Sequence, residues 1–267
     1  MARLPALFVG HGSPYNLFNQ NDFTHSLKDF GKRLFSQFKP EAIILISAHW
    51  LTHGTFLTGE DNPRMVYDYY GFPKHFYEYK YPVKGSCKIA NQVTQSLPDI
   101  LNISNEWGID HAATIVLENL IPSGEIPVIE LSLDFRHPPQ YHFELGQKLA
   151  ILREQNYLVI GSGNLIHTFR EINWDMEAKP FKWAIQLDKI QKMALDSHDT
   201  DLLINYEQIQ LSRRGFQTND HYLPMLYIIG MQQDDEDVQY IYEGIQHASV
   251  SHRSFLIGDN VPNIGLS

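Results

Sequence analysis

Apolar residues along this chain follow two alternating rhythms. Leu7, Phe8 and Val9 form a short continuous run that ends at Gly10, His11 and Gly12, which predicts a buried strand stopping at a tight turn. Phe23, Leu27, Phe30, Leu34 and Phe38 then recur at intervals of three and four, the spacing of an amphipathic helix. The run AIILISA at 42–48 has no polar alternation and predicts a strand covered on both faces. Strand, helix and strand thus follow one another from the start.

The segment 52–82 breaks the rhythm. It is rich in Gly, Pro and Tyr and carries Tyr67, Tyr69, Tyr70, Phe72, Phe76 and Tyr77 close together. The pattern predicts a long excursion with little regular structure, of the kind that forms lids or pocket walls. The plainer alternative is that these rings are core. Alternation then resumes with a helix near 86–97, a strand near 100–105, a helix after His111, a strand at 127–133, a helix at 141–155 and a central strand at 157–161. Helices near 181–197 and after Tyr222 follow, and two strand-like runs, 238–245 and 249–257, close the chain. Such an order predicts a single α/β domain over 1–267, with a mostly parallel sheet flanked by helices and a small antiparallel edge.

Composition narrows the class of protein. Of 267 residues, 43% are hydrophobic and 19% charged, ordinary values for a globular enzyme. The net charge of −10 disfavours nucleic acid and anionic membrane as partners and leaves small molecules as the better fit. Cys87 is the only cysteine, so neither an intrachain disulfide nor a cysteine-rich zinc motif can form, and a reducing, cytoplasmic setting is expected. The opening MARLPALFVGHG is too short in its apolar run for a signal peptide, and no stretch approaches a membrane span.

Five histidines sit where a strand runs out into a turn or a helix start: His11 in FVGHGSP, His49 in ILISAHW, His111 in WGIDHAAT, His167 in VIGSGNLIH and His221 in TNDHYLPML. In an open α/β sheet the carboxyl ends of the strands converge on one crevice, where distant residues can build a single site. Imidazoles without thiolates point to a borderline metal such as Fe(II) or Zn(II). His11 and His49 are the leading ligands, the latter because a polar residue ending so apolar a strand is costly unless something binds it. His221 would complete a facial triad, with Asp220 as the alternative ligand or as a helix N-cap. His167 is either a fourth ligand or an acid/base group. His111 would donate a hydrogen bond to a substrate oxygen, or simply begin a helix capped by Asp110. The small residues Gly161, Ser162 and Gly163 fit close approach of Asn164 and His167 to a ligand better than a dinucleotide loop, because Ile166 occupies the third glycine position. Nucleophile-elbow, H-E-x-x-H and Walker patterns do not occur.

Taken in order, GHGSP, SAHW, WGIDH, SGNLIH and HYLP resemble the 4,5-DOPA extradiol dioxygenase family of LigB-like class III extradiol ring-cleaving dioxygenases. The segment 67–73 and the run Tyr242, Glu243, Gly244, Ile245 resemble it as well. The resemblance implies a metal held at His11, His49 and His221 with His167 beside it, Fe(II) for activity, and Zn(II) as an occupant of purified protein. It implies oxygen-dependent opening of a catechol ring, DOPA-like or otherwise substituted, by a monomer or small homo-oligomer. His167 would then move protons and His111 would hydrogen-bond substrate. Two departures, Ala112–Thr114 after His111 and Thr168 after His167, lie near the expected substrate. A zinc-dependent hydrolase on the same histidines and a metal-free LigB-like binding protein are the alternatives.

Overall fold

A computed structural model of the chain describes residues 3–258; residues 1, 2 and 259–267 of the expected domain lie outside it. Strand β1 (Ala6–Gly10) leads through the helix Asp22–Gln37 to β2 (Ala42–Thr52), which turns into β3 (Thr55–Thr58). The strands β4 (Leu101–Ser104), β5 (Val128–Asp134), β6 (Tyr157–Gly163) and β7 (Val238–Tyr242) follow, with β8 (Ile245–Gln246), β9 (Val250–Ser251) and β10 (Ser254–Ile257) at the end. Eight of them make one sheet in the order β4-β3-β5-β2-β6-β1-β10-β7, while β8 and β9 pair separately. The central four, β5, β2, β6 and β1, run parallel. β10 is antiparallel to both β1 and β7, so the expected antiparallel edge is present.

The unbroken apolar runs conceal an alternation that only the two-sided sheet makes visible. Ala6, Phe8, Ile44, Ile46 and Val159 face one core, and Leu7, Val9, Ile43, Leu45, Leu158 and Ile160 face the other. Period-two geometry sends neighbours to opposite faces, and helices cover both, so each position is apolar. The helices Pro139–Leu149 and Leu223–Gly230 pack on the first face. Asp22–Gln37 and His111–Leu120 pack on the second. At one end of the sheet, Arg153 is fully buried and donates to the carbonyls of Leu4 and Met231 and to Glu236, the last at 2.8 Å from Nη1 to Oε2. Burial alone would raise the Glu236 carboxyl, but Arg153 and Arg3 beside it hold it below the usual range. Among the described residues no helix is long and apolar enough to cross a membrane.

The excursion is more ordered than its composition predicts. It contains β3 and the short helix Lys74–Glu78. The strand escapes a pattern-based reading because its buried threonines, Thr55 and Thr58, look like turn residues, and because the reversal before it is set by Gly54 at φ +99. Tyr69 and Phe76 pack with Leu17 and Ile115 in a satellite cluster, so most of the aromatic density is core, while Tyr70 stands exposed. The helix expected over 141–155 is divided into Pro139–Leu149 and Ile151–Glu154. Three short helical turns between 200 and 215 were not legible from periodicity.

Candidate metal centre

Three of the five histidines leave from the carboxyl ends of the central strands or from the loops that follow them, whereas His111 comes after the edge strand β4, and His221, against expectation, follows the short helix Ser212–Gly215 and no strand. His11 is the first residue after β1, and its ring is fully buried. His49 lies within β2, where the pairing with β5 shifts register between Ile46 and Leu51 and frees this stretch from the ladder. Ser47 Oγ accepts the His49 backbone N–H at 3.1 Å and donates to Asp110 at 2.5 Å, which fixes the freed segment. His167 follows β6 and bridges to Phe216. His221 precedes the helix Leu223–Gly230, and its carbonyl accepts from Asn164 N–H at 2.8 Å. His111 starts the helix His111–Leu120, with Asp110 as its N-cap accepting from Ala113 N–H.

The rings of His11, His49 and His221 converge, with centroids 5.3, 5.2 and 4.8 Å apart in pairs. One ligand atom from each lies within 4.8 Å of the others. Every Nδ1 of the three is turned away toward an oxygen. His11 Nδ1 is 3.0 Å from Ser162 Oγ, and that hydroxyl gives its own proton to Ala112 O at 2.9 Å. It therefore accepts from His11 Nδ1–H, which leaves Nε2 as a bare lone pair. That Nε2 is buried without a hydrogen-bond partner among the described residues. His221 Nδ1 is 2.7 Å from Asp220 Oδ2, and His49 Nδ1 is 2.9 Å from Asp68 Oδ2. In the Nδ1–H tautomers that these carboxylates favour, the Nε2 atoms of His49 and His221 face each other lone pair to lone pair at 3.2 Å. Two nitrogens bound to one zinc-sized ion at about 2.0–2.1 Å stand roughly 3.1–3.4 Å apart, so a cation between them turns repulsion into ligation.

Electrostatics favour the same occupant. Burial, reinforced by neighbouring imidazoles, holds His11 and His167 well below the ordinary histidine range and lowers His111. Burial lowers His221 too, against the pull of Asp220. At His49 burial is outweighed by Asp68, Asp110 and Asp220, which raise it. Burial also opposes ionisation of Asp68 and Asp220, but the imidazoles bonded to them hold both carboxyls well below their usual range. Buried imidazoles backed by two carboxylates suit a divalent ion, and such outer partners orient metal-binding rings and raise their basicity.

The two other histidines border this group. His167 stacks on His221 at 3.7 Å with the rings parallel, and it lies outside the set whose ligand atoms meet. His111 is 4.1 Å from His49 by centroid and gives Nδ1 to Asp68 Oδ1 at 2.8 Å. Asp220 is neither a helix cap nor a member of the converging set: the cap position of Leu223–Gly230 is Tyr222, and the Asp220 carboxylate stands behind the His221 ring. The small residues that end β6 act differently from the sequence-based expectation. A Cβ at Gly163 would meet His221 O at 2.0 Å and one at Gly161 would meet Pro224 O at 2.7 Å, so these glycines let the His221 segment seat on the sheet. Sequence reasoning missed Asp68 and Ser162. An aspartate in the otherwise aromatic run YDYYGFP was the one available signal for the former.

Fold and site together define an α/β protein with a three-histidine metal-type centre at the carboxyl ends of a central parallel sheet. The chain belongs to the LigB family, described as the catalytic LigB subunit of aromatic ring-opening dioxygenase, which matches residues 5–257. It is 36% identical to a 4,5-DOPA dioxygenase extradiol of Escherichia coli (strain K12), over 96% of this chain and 95% of that protein. It is 27% identical to a protein of the same name from Beta vulgaris, over 93% and 94% respectively. The crystal structure of an uncharacterized Escherichia coli K12 protein matches with a TM-score of 0.83 at 34% identity, covering 96% of this chain and 100% of the other.

Proposed function

We propose that this protein is an extradiol dioxygenase that opens a catechol ring, DOPA-like or otherwise substituted, with dioxygen. The observation that carries the reading is the convergence of three imidazoles whose Nδ1 atoms are each engaged by an oxygen, leaving Nε2 atoms for one ion. His11, His49 and His221 would hold Fe(II), which when bound supplies adjacent positions for both reactants and an electron path between them. His167, uncharged near neutrality, is suited to take a proton from a catechol hydroxyl and return it later. Phe169 stands edge-on 5.0 Å from His167 and is largely exposed, apolar surface suited to an aromatic substrate. The reading includes a reducing, cytoplasmic setting, in keeping with the exposed free thiol of Cys87.

Full-length protein stripped of metal, reloaded with Fe(II) without air and given a panel of catechols should consume oxygen and form a product absorbing in the visible. Absence of uptake at full iron occupancy with every catechol overturns the reading. Turnover with zinc in the absence of oxygen would establish a hydrolase instead.

A further inference from the structure

Asp68 pairs with both His49 of the metal-type cluster and His111, and it comes from the excursion rather than from the sheet. Its Oδ1 accepts from His111 Nδ1 at 2.8 Å and from the His111 backbone N–H at 3.2 Å. Its Oδ2 is in ion-pair contact with His49 Nδ1 at 2.9 Å, without the straight N–H···O alignment of the His111 bond. The same three residues could be taken for a second metal site. Their spacing fits hydrogen bonds, because ligands of one tetrahedral zinc ion stand roughly 3.1–3.4 Å apart while these contacts are 2.8 and 2.9 Å. The carboxylate has no proton to give, so each contact draws an imidazole proton onto Nδ1.

We infer that Asp68 is a positioning residue that fixes His111 as its Nδ1–H tautomer while steadying the metal ligand His49, so that His111 meets substrate as a hydrogen-bond acceptor. This rests on the dioxygenase reading for the word substrate, and on geometry alone for the tautomer. It reverses the donor role expected for His111 from sequence: a neutral ring with its proton on Nδ1 offers only the Nε2 lone pair elsewhere. A hydroxyl that still carries its proton satisfies that lone pair, and an ether oxygen in its place does not. The bond to the His111 backbone N–H also ties the first turn of the helix His111–Leu120 to the excursion, so the Tyr-rich segment is a fixed wall of the site at this point. Tyr69, the next residue, stands edge-on to His111 at 5.4 Å and closes the ring's other side.

The test uses full-length, zinc-loaded protein and Asp68→Asn, with Asp68→Ala as the second variant. Long-range proton–nitrogen NMR correlations, assigned with His111→Gln, should show the His111 proton on Nδ1 in the parent. In Asp68→Ala that proton should redistribute to Nε2. Asp68→Asn keeps the size of the side chain and can accept from only one of the two rings, so it controls for a packing defect. Chelator competition should show zinc held about 10–100-fold more weakly in both variants, the usual effect of losing an outer partner of a ligating histidine. A parent His111 protonated on Nε2 overturns the inference, as does an Asp68→Ala protein with unchanged tautomer and zinc affinity. Neither readout depends on turnover, so a protein inert toward catechols but showing the expected tautomers would sink the dioxygenase reading and leave Asp68 in place.

Discussion

Replacing Gly163 by alanine tests whether the sheet itself sets the position of His221. The added Cβ would stand 2.0 Å from His221 O and 3.0 Å from its carbonyl carbon, and this carbonyl is also held by Asn164 N–H at 2.8 Å. Both obstacles are backbone atoms with no rotamer to swing away. Restoring even a tight contact moves the His221 segment by about 1 Å, whereas a metal site tolerates about 0.2 Å in its ligand distances. Overpacking of this kind costs about 1–3 kcal/mol, or a melting temperature lower by several degrees in a domain of this size, so the variant should fold. Zinc affinity, measured by competition with a fluorescent chelator, should nevertheless fall by about 100-fold or more, since a displacement of about 1 Å takes one of three ligands out of register. Gly85→Ala is the matched control, because its Cβ would meet Glu60 O at the same 2.0 Å on a segment that bears none of the five histidines. Equal loss of zinc in both variants, or parent-like zinc affinity in a folded Gly163→Ala protein, would refute the reasoning.

Three further outcomes are expected. Asp220→Asn removes the carboxylate that accepts from His221 Nδ1 at 2.7 Å and should weaken zinc binding by about 10–100-fold with little change in melting temperature, read by chelator competition and calorimetry. Glu236→Gln leaves the fully buried Arg153 without a counter-charge and should cost about 3–5 kcal/mol in urea unfolding, without altering metal stoichiometry. His142 is buried, its Nε2 has no hydrogen-bond partner among the described residues, and burial pushes its pKa down to about 4. The folded state therefore resists a proton that the unfolded chain accepts near pH 6.5: stability is unaffected above that pH and declines as pH falls from 6.5 toward 4, by about 2 kcal/mol at pH 5. His142→Gln should narrow the gap in melting temperature between pH 7 and pH 5 at equal metal loading, and an unchanged gap would contradict the assignment.

The central sheet was legible because β1, β2, β5 and β6 are buried on both faces, and a run such as AIILISA has no other economical fate. The meeting of His11 and His49 followed from one regularity, that the carboxyl ends of parallel strands share an edge, whereas His221 is brought there by the docking of its segment on Asn164 and Gly163. What stayed hidden was fixed by contacts between segments far apart in the chain. Ser162 looks like a spacer between two glycines until the turn of His11 onto its hydroxyl is visible. Asp68 looks like a solvated loop residue until the excursion folds back on the helix that starts at His111. β3 is invisible to periodicity because two of its four residues are buried threonines, held by pairing with β4 and, at Leu57, with Leu131 of β5.

The three converging rings occupy positions 11, 49 and 221, so no fragment of the polypeptide contains a usable subset in the right place. The three rings meet only once β1, β2 and β6 have aligned, the helix Leu223–Gly230 has seated on Gly161, and the segment before it has seated on Gly163. A cation held by these three rings would therefore be retained by the folded chain alone, and its retention would report that the distant segments have docked.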